Sequence, residues 1–244
     1  MTDVSVIIPA KGEGCRLEHT LDSIDEQQFV GTVEVIVVAC GDATIEVAKR
    51  HAVVDCALEE TEPASTGTAT DATERGPGQA RNRGVRTATG NILLFTDADT
   101  VVPPTWIQDH YRHYLTPSVV GVGGPLEPLG CQLRHRLCFR VLSDWWYRVS
   151  WPVGFVQQPG PNCSVRRSAF EKVDGFDESL PFLEDTDLSL RLRSAGVLVY
   201  DRTCPVRTAT RRQRRVGYLG LFITYLFGYL AYFCPGLSPA DSYF

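Results

Sequence analysis

Asp97 and Asp99 stand one residue apart, directly after the apolar run 91–96. Two carboxylates at that spacing can both reach one divalent cation, and hard oxygen ligands suit Mg2+ or Mn2+. Such a cation, bridging a diphosphate, would offset charge on a departing nucleotide diphosphate. An Asp-x-Asp triplet is also an ordinary solvated turn, so its meaning depends on the elements around it. Further along, Glu184-Asp185-Thr186-Asp187 opens a segment of helical spacing. Carboxylates in a first turn offset the helix dipole, which explains that cluster with or without chemistry.

The elements that must hold these residues can be read from apolar spacing. Residues 4–8 and 33–38 are short apolar runs rich in β-branched side chains, as in strands buried on both faces. The first is closed by Pro9. Between them Leu17, Leu21 and Ile24 recur at helical spacing, which makes a βαβ unit. A helix over 44–50, a short strand around Val53, a helix over 79–88 and a strand over 91–96 follow. The acidic triplet thus ends a strand, and open α/β sheets bind ligands beyond the carboxyl ends of their strands. The second half predicts a strand at 119–122, an aromatic-rich helix near 133–151, a segment at 161–166 and a helix over 185–194. No internal repeat is present.

The bulk properties narrow the class. A chain of 244 residues with 43% hydrophobic and 22% charged residues is globular, and its length suits one catalytic domain with a short appendage. The formal net charge is -5. The one dense basic run, 211–215, has no base-stacking module attached, which argues against a nucleic-acid partner. The eight cysteines lack CxxC or Cys/His spacing and read as buried free thiols of a reducing compartment. Nothing near the start reads as an export signal.

Four segments together resemble the family-two glycosyltransferases of the GT-A fold, the inverting group that includes polyprenyl-phosphate sugar transferases. Ser5-Val6-Ile7-Ile8-Pro9-Ala10-Lys11-Gly12-Glu13 looks like that family's first strand and nucleotide loop. Gly78-Gln79-Ala80-Arg81-Asn82-Arg83-Gly84 looks like its GxxxARNxG element, and Asp97-Ala98-Asp99 like its metal motif. Gly175-Phe176-Asp177-Glu178 followed by Glu184-Asp185 looks like its acceptor-side pair.

The resemblance implies a Rossmann-like α/β fold of GT-A type, with a mixed, mostly parallel sheet flanked by helices and a C-terminal hydrophobic helix. It implies a nucleotide-diphosphate sugar donor with Mn2+ or Mg2+ as cofactor. Pro9, Ala10, Glu13, Arg81, Asp97, Ala98 and Asp99 would then line the donor site, with Asp97 on the ribose or sugar side and Asp99 on the metal. Asp185 would be the general base, because inversion needs a carboxylate opposite the leaving group. Glu184 beside it would raise its proton affinity by like charge.

One departure concerns the second strand. Where the family carries a VDDGSxD turn, this chain reads Val38-Ala39-Cys40-Gly41-Asp42-Ala43-Thr44. Either Asp42 or backbone groups would read the base, and the donor nucleotide stays open. The polar segment 59–78 is longer than the family's usual connection and is expected to act as a lid.

Residues 216–234 are uncharged and, as a helix, nearly match a hydrocarbon core of roughly 30 Å. The expected division is a catalytic domain over 1–210 and a basic, membrane-associating segment over 211–244. The arginines would keep the domain on the cytoplasmic face, with the segment spanning the bilayer or lying in its interface. A lipid-linked or polyprenyl-phosphate acceptor follows from that placement, and Trp145, Trp146, Tyr147 and Trp151 are candidates for its path. A sugar-nucleotide nucleotidyltransferase and a non-catalytic nucleotide-sugar binder are the alternatives.

Overall fold

The computed structural model describes residues 2–60, 76–130, 137 and 157–233. The central sheet has seven strands in the order β3-β2-β1-β4-β8-β6-β9. They are β1 (Val4–Lys11), β2 (Val33–Cys40), β3 (Cys56–Glu59), β4 (Ile92–Phe95), β6 (Val119–Gly123), β8 (Cys163–Arg166) and β9 (Val197–Tyr200). β8 runs antiparallel to both β4 and β6, and the other pairings are parallel. The mixed, mostly parallel sheet expected from sequence is therefore present. A smaller sheet, β5 (Thr100–Val101), β10 (Val206–Thr208) and β7 (Leu126–Pro128), in that order, stands beside it.

Alternation along the buried strands builds two cores. Val4, Val6 and Ile8 of β1 turn to one side, against Leu17, Leu21 and Ile24 of α1 (Gly14–Asp25) and Ile45 and Ala48 of α2 (Asp42–Arg50). Ile7 turns to the other, joining Val85 of α3 (Pro77–Thr87) and Phe170 of α5 (Arg167–Lys172). Leu188 and Leu192 of α6 (Glu184–Leu192) complete that side. A short helix, α4 (Trp106–Tyr111), buries Trp106 and His110 completely. Because both faces of β1, β2 and β4 are covered, their sequences read as continuous apolar runs.

Several boundaries differ from the sequence reading. β1 continues through Pro9 to Lys11, paired only with β2 there, because β4 ends opposite Ile7. A proline costs no ladder bond on a side with no neighbour. The strand expected around Val53 lies at Cys56–Glu59, and residues 51–55 form the turn before it. Of the five cysteines among the described residues, all are free, but only Cys163 and Cys204 are buried and Cys15 is exposed. The expected lid at 59–78 and the aromatic helix at 133–151, with Trp145, Trp146, Tyr147 and Trp151, lie largely or wholly outside the described residues.

The last element, α7 (Arg211–Phe233), breaks its helical backbone at Gly217, where φ is 73° and ψ 166°. That conformation suits a residue without Cβ. Its Val216–Phe233 stretch, of mean hydropathy 1.5, is long and apolar enough by composition to cross a membrane.

Candidate active site at the carboxyl ends of the strands

Three chain segments meet beyond the carboxyl end of β4. The first is Thr96 to Asp99 itself, anchored by Thr100 N donating to Asp97 O at 3.1 Å and by the buried Thr20 hydroxyl donating to Ala98 O at 2.9 Å. The second is the turn Gly160–Asn162, brought alongside because β8 pairs antiparallel to β4 with Cys163 opposite Phe95. The third is the first turn of α6, with Glu184, Asp185 and Asp187.

Arg81 joins the first and third. Its side chain projects from α3 into the protein, 1% exposed, and is no surface helix charge. Nη2 donates to Asp97 Oδ1 at 2.9 Å and Nη1 to Glu184 Oε1 at 2.6 Å, with the Phe176 ring 5.5 Å from the guanidinium carbon. Two carboxylates hold a cation that burial would otherwise disfavour, the condition under which a buried charge is tolerated. Asn82, the next residue, clasps the Gly175-Phe176 turn in both directions. Phe176 N donates to its Oδ1 at 3.0 Å, and its Nδ2 donates to Phe176 O at 2.8 Å and Glu178 Oε1 at 3.0 Å. The two sequence elements around Arg81 and Phe176 are thus one structural unit.

Asp185 is half-buried, and both its oxygens accept backbone N–H bonds: Oδ2 from Gly160 at 2.8 Å and Oδ1 from Thr186 at 2.7 Å. Burial pushes its pKa up, against the Gly160 N–H and the Arg81 charge, with Asp97 adding like charge. Glu184 was expected to supply that push. Burial is the largest cause, and the two adjacent carboxylates also repel each other: the pKa of Glu184, which is tied to Arg81, is raised by burial and then by Asp185. Leu183, just before this turn, is buried with φ 64°. A left-handed non-glycine residue stores about 1–3 kcal/mol of strain, of the kind that clusters at functional sites.

Asp99 is partly buried, and its pKa is pushed up to about 6, first by burial and then by the charges of Asp97 and Glu13. The Thr208 hydroxyl of β10 lies 3.4 Å from its Oδ1. Glu13, after β1, is buried and pairs with Arg211 of α7 at 2.5 Å; burial raises its pKa and Arg211 opposes the rise. Pro9 and Ala10 lie at the carboxyl end of β1, opposite Val38 and Ala39. Asp42 is exposed in the first turn of α2, one strand further out, and the structure gives it no bond to the triplet.

The sequence reading assigned no role to the Gly160–Asn162 turn, and it placed Arg211 with the membrane-side arginines rather than beside Glu13. The Asn162 side chain is fully buried, its Oδ1 accepting from Trp106 Nε1 at 2.9 Å and lying 3.0 Å from His110 Nε2. Its Nδ2 donates to Cys204 O at 2.9 Å and Pro125 O at 3.1 Å. These partners come from three distant segments, so spacing carried no trace of them.

The donor set suits a cation completed by a ligand. Among the described residues no three His, Cys, Asp or Glu side chains form a metal-holding group by themselves. Asp99 instead sits among like charges that a cation would relieve. Mg2+-type ions are commonly held by one or two carboxylates plus substrate phosphates. The residues therefore fit the implied metal.

A model of the family described as Glycosyl transferase family 2 matches residues 5–173. The probable glycosyltransferase YdaM of Bacillus subtilis is 25% identical over 215 residues, covering 79% of this chain and 47% of that protein. The pre-mycofactocin glycosyltransferase of Mycobacterium tuberculosis is 27% identical over 223 residues, covering 87% of this chain and 44% of the relative. The chain thus spans less than half the length of either. Among solved structures, it is similar to the mannosyltransferase PcManGT from Pyrobaculum calidifontis in complex with GDP-Man and Mn2+. The TM-score is 0.67 at 21% identity, covering 99% of this chain and 68% of that one. S. aureus TarS in complex with UDP matches with a TM-score of 0.59 at 15% identity, covering 92% and 65%. These likenesses agree with the fold described above.

Proposed function

The chain belongs to glycosyl transferase family 2, and from that premise we propose that it moves a sugar, with inversion, from a nucleotide-diphosphate sugar to an acceptor hydroxyl or phosphate. The observation that carries this reading is the arrangement at the end of β4, where Arg81 bonds across between Asp97 and Glu184, the neighbour of Asp185; in this reading Asp97 and Asp99 serve the donor and Asp185 the acceptor.

In this mechanism Asp99, with Asp97, would hold Mn2+ or Mg2+, which would supply positive charge to offset that of the leaving diphosphate. Asp185 takes the proton from the acceptor oxygen as that oxygen forms its bond to the anomeric carbon. The bond from that carbon to the diphosphate breaks, and its electron pair leaves with the nucleotide diphosphate. Burial raises the proton affinity of Asp185, the direction that suits a base. The N–H groups of Gly160 and Thr186 hold its oxygens in place. Arg81 opposes the rise in the Glu184 pKa and ties the Asp97 carboxylate to the turn that carries Asp185. Pro9, Ala10 and Glu13 line the nucleotide pocket, and with Ala39 and Cys40 at the end of β2, base reading falls to Asp42 or to backbone groups.

The acceptor in this reading is lipid-linked, in the manner of a polyprenyl phosphate. The 1–210 domain works at the cytoplasmic face of a membrane that 211–234 contacts. The apolar length of Val216–Phe233 supports this. Calorimetric titration with UDP and GDP in the presence of Mn2+ is the test. One of them binds the wild type, and Asp99→Asn weakens it at least tenfold. Binding by neither nucleotide removes the reading.

A further inference from the structure

Helix α7 has two unlike faces. One grips the turn that carries Asp185. The Tyr229 hydroxyl donates to Gln157 Oε1 at 2.7 Å, and the same buried oxygen accepts the Thr186 hydroxyl at 2.9 Å. Tyr232 OH donates to Asp187 Oδ1 at 2.7 Å. Gly228 lies so close to the Phe182 ring that a Cβ would not fit. Thr186 and Asp187 are the two residues after Asp185, so this face is bonded to the acceptor-side turn itself.

The opposite face carries Phe222, Ile223, Leu226, Phe227, Leu230 and Phe233, all exposed. Their three- and four-residue spacing makes one stripe along a helix. A helix that crosses a bilayer is apolar all round. Here the second face is committed to polar acceptors of the folded domain, which would have to follow it into hydrocarbon that offers them no water. Beyond Arg211, which pairs with Glu13, the sequence also sets Arg212, Arg214 and Arg215 ahead of this stripe, in a chain whose formal net charge is -5. A basic run beside an apolar helical face complements anionic headgroups. Gly217, with its positive φ, lets the basic turn leave the axis of the apolar one.

We infer that α7 lies flat in the interface of an anionic bilayer, its phenylalanine and leucine stripe in the lipid and its tyrosine face on α6. Seating on lipid and fixing the turn of Asp185 are then one event. The inference rests on the membrane contact proposed above and adds to it an orientation and a coupling.

Four measurements test it on the 244-residue chain. Flotation with phosphatidylglycerol/phosphatidylcholine vesicles is expected, at least tenfold weaker with phosphatidylcholine alone. The double variant Phe222→Glu/Phe227→Glu is expected to lose flotation equally with an unchanged melting temperature; flotation with neither vesicle removes the membrane contact itself. Amide exchange at residues 184–187 slows when vesicles bind, and Tyr229→Phe/Tyr232→Phe abolishes the slowing while flotation persists. Exchange that does not change despite flotation overturns the coupling. In vesicles from expressing cells, a reporter fused after Phe244 is reachable from the side of the catalytic domain; a reporter on the other side shows that α7 crosses, and overturns the orientation. A dimer lost in the double glutamate variant, without flotation, assigns the stripe to a second copy instead. Calorimetric nucleotide binding is unaffected by each of these outcomes, so failure here is distinguishable from failure of the donor-site reading.

Discussion

Arg81 and Glu184, 103 positions apart in the chain, meet in a charge-assisted hydrogen bond of 2.6 Å with both side chains nearly sealed from water. Removing one partner of a buried pair leaves the other charge uncompensated, a loss of about 3–5 kcal/mol. Arg81→Ala is expected to lose stability of that order in urea denaturation. Arg81→Met/Glu184→Leu recovers most of it, because the charge left behind is removed too. Transfer activity stays absent in both, since neither restores the link to Asp97.

Asp185→Asn is nearly isosteric but keeps only one oxygen for the two N–H donors of Gly160 and Thr186, so its melting temperature is measured alongside to check that the α6 turn stays folded. Without a base for the acceptor proton, kcat is expected to fall by about 10²- to 10⁴-fold. The calorimetric Kd for nucleotide with Mn2+ remains at the wild-type value. A parallel loss of nucleotide binding would assign Asp185 to the donor side and remove its role as base.

The Asp99 pKa of about 6 gives donor binding a pH dependence with a definite sign. A proton and a cation compete for the same carboxylate, so Mn2+-dependent nucleotide affinity is expected to rise as pH passes from 5 through 6 and level off above 7. Stability without ligand runs the other way. A folded-state pKa raised above the unfolded value means that stability present at low pH is lost as pH rises through about 6. Asp99→Asn is expected to flatten both curves; nucleotide titrations and thermal melts across pH 5–8 check them.

Much of this was legible in the sequence where local pattern and final contact coincide. The runs that became β1, β2 and β4 are apolar throughout because helices cover both faces, and the triplet follows β4 directly, so its place at a strand end could be read by position alone. Arg81 could be marked as important but not explained, since its partners lie 16 and 103 residues away. Pro9 misled because its tolerance depends on where the neighbouring strand stops. Adjacency alone pointed to the repulsion between Glu184 and Asp185, but not to the burial that raises both, which is a property of the whole fold. The two faces of α7 were invisible because residues 216–233 are uncharged all round, and only the folded domain decides which tyrosines find acceptors.

The network behind the Gly160 turn sets an acid limit on stability. Asn162 Oδ1 can only accept, so His110 must present Nε2–H to it; Nδ1 then accepts from the Ser164 hydroxyl at 2.8 Å, which leaves Tyr114 OH to donate to Ser164. Burial keeps the imidazole neutral by holding its pKa down at about 4, and it is in this neutral ring that Nδ1 accepts. In the unfolded chain a histidine takes its proton near pH 6.5. Between about 6.5 and 4 the unfolded state binds the proton and the folded state does not, so stability falls across that window by up to about 3 kcal/mol and is flat below it. Asp99 acts in the opposite sense over part of the same range, so the comparison of variants isolates the histidine. His110→Gln, which cannot titrate, is expected to show a shallower loss between pH 6.5 and 4 in urea denaturation, although it is less stable at pH 7. Equal slopes in the two proteins would mean that His110 is not held neutral, and the hydrogen-bond order assigned from Asn162 through Ser164 to Tyr114 would have to be reversed.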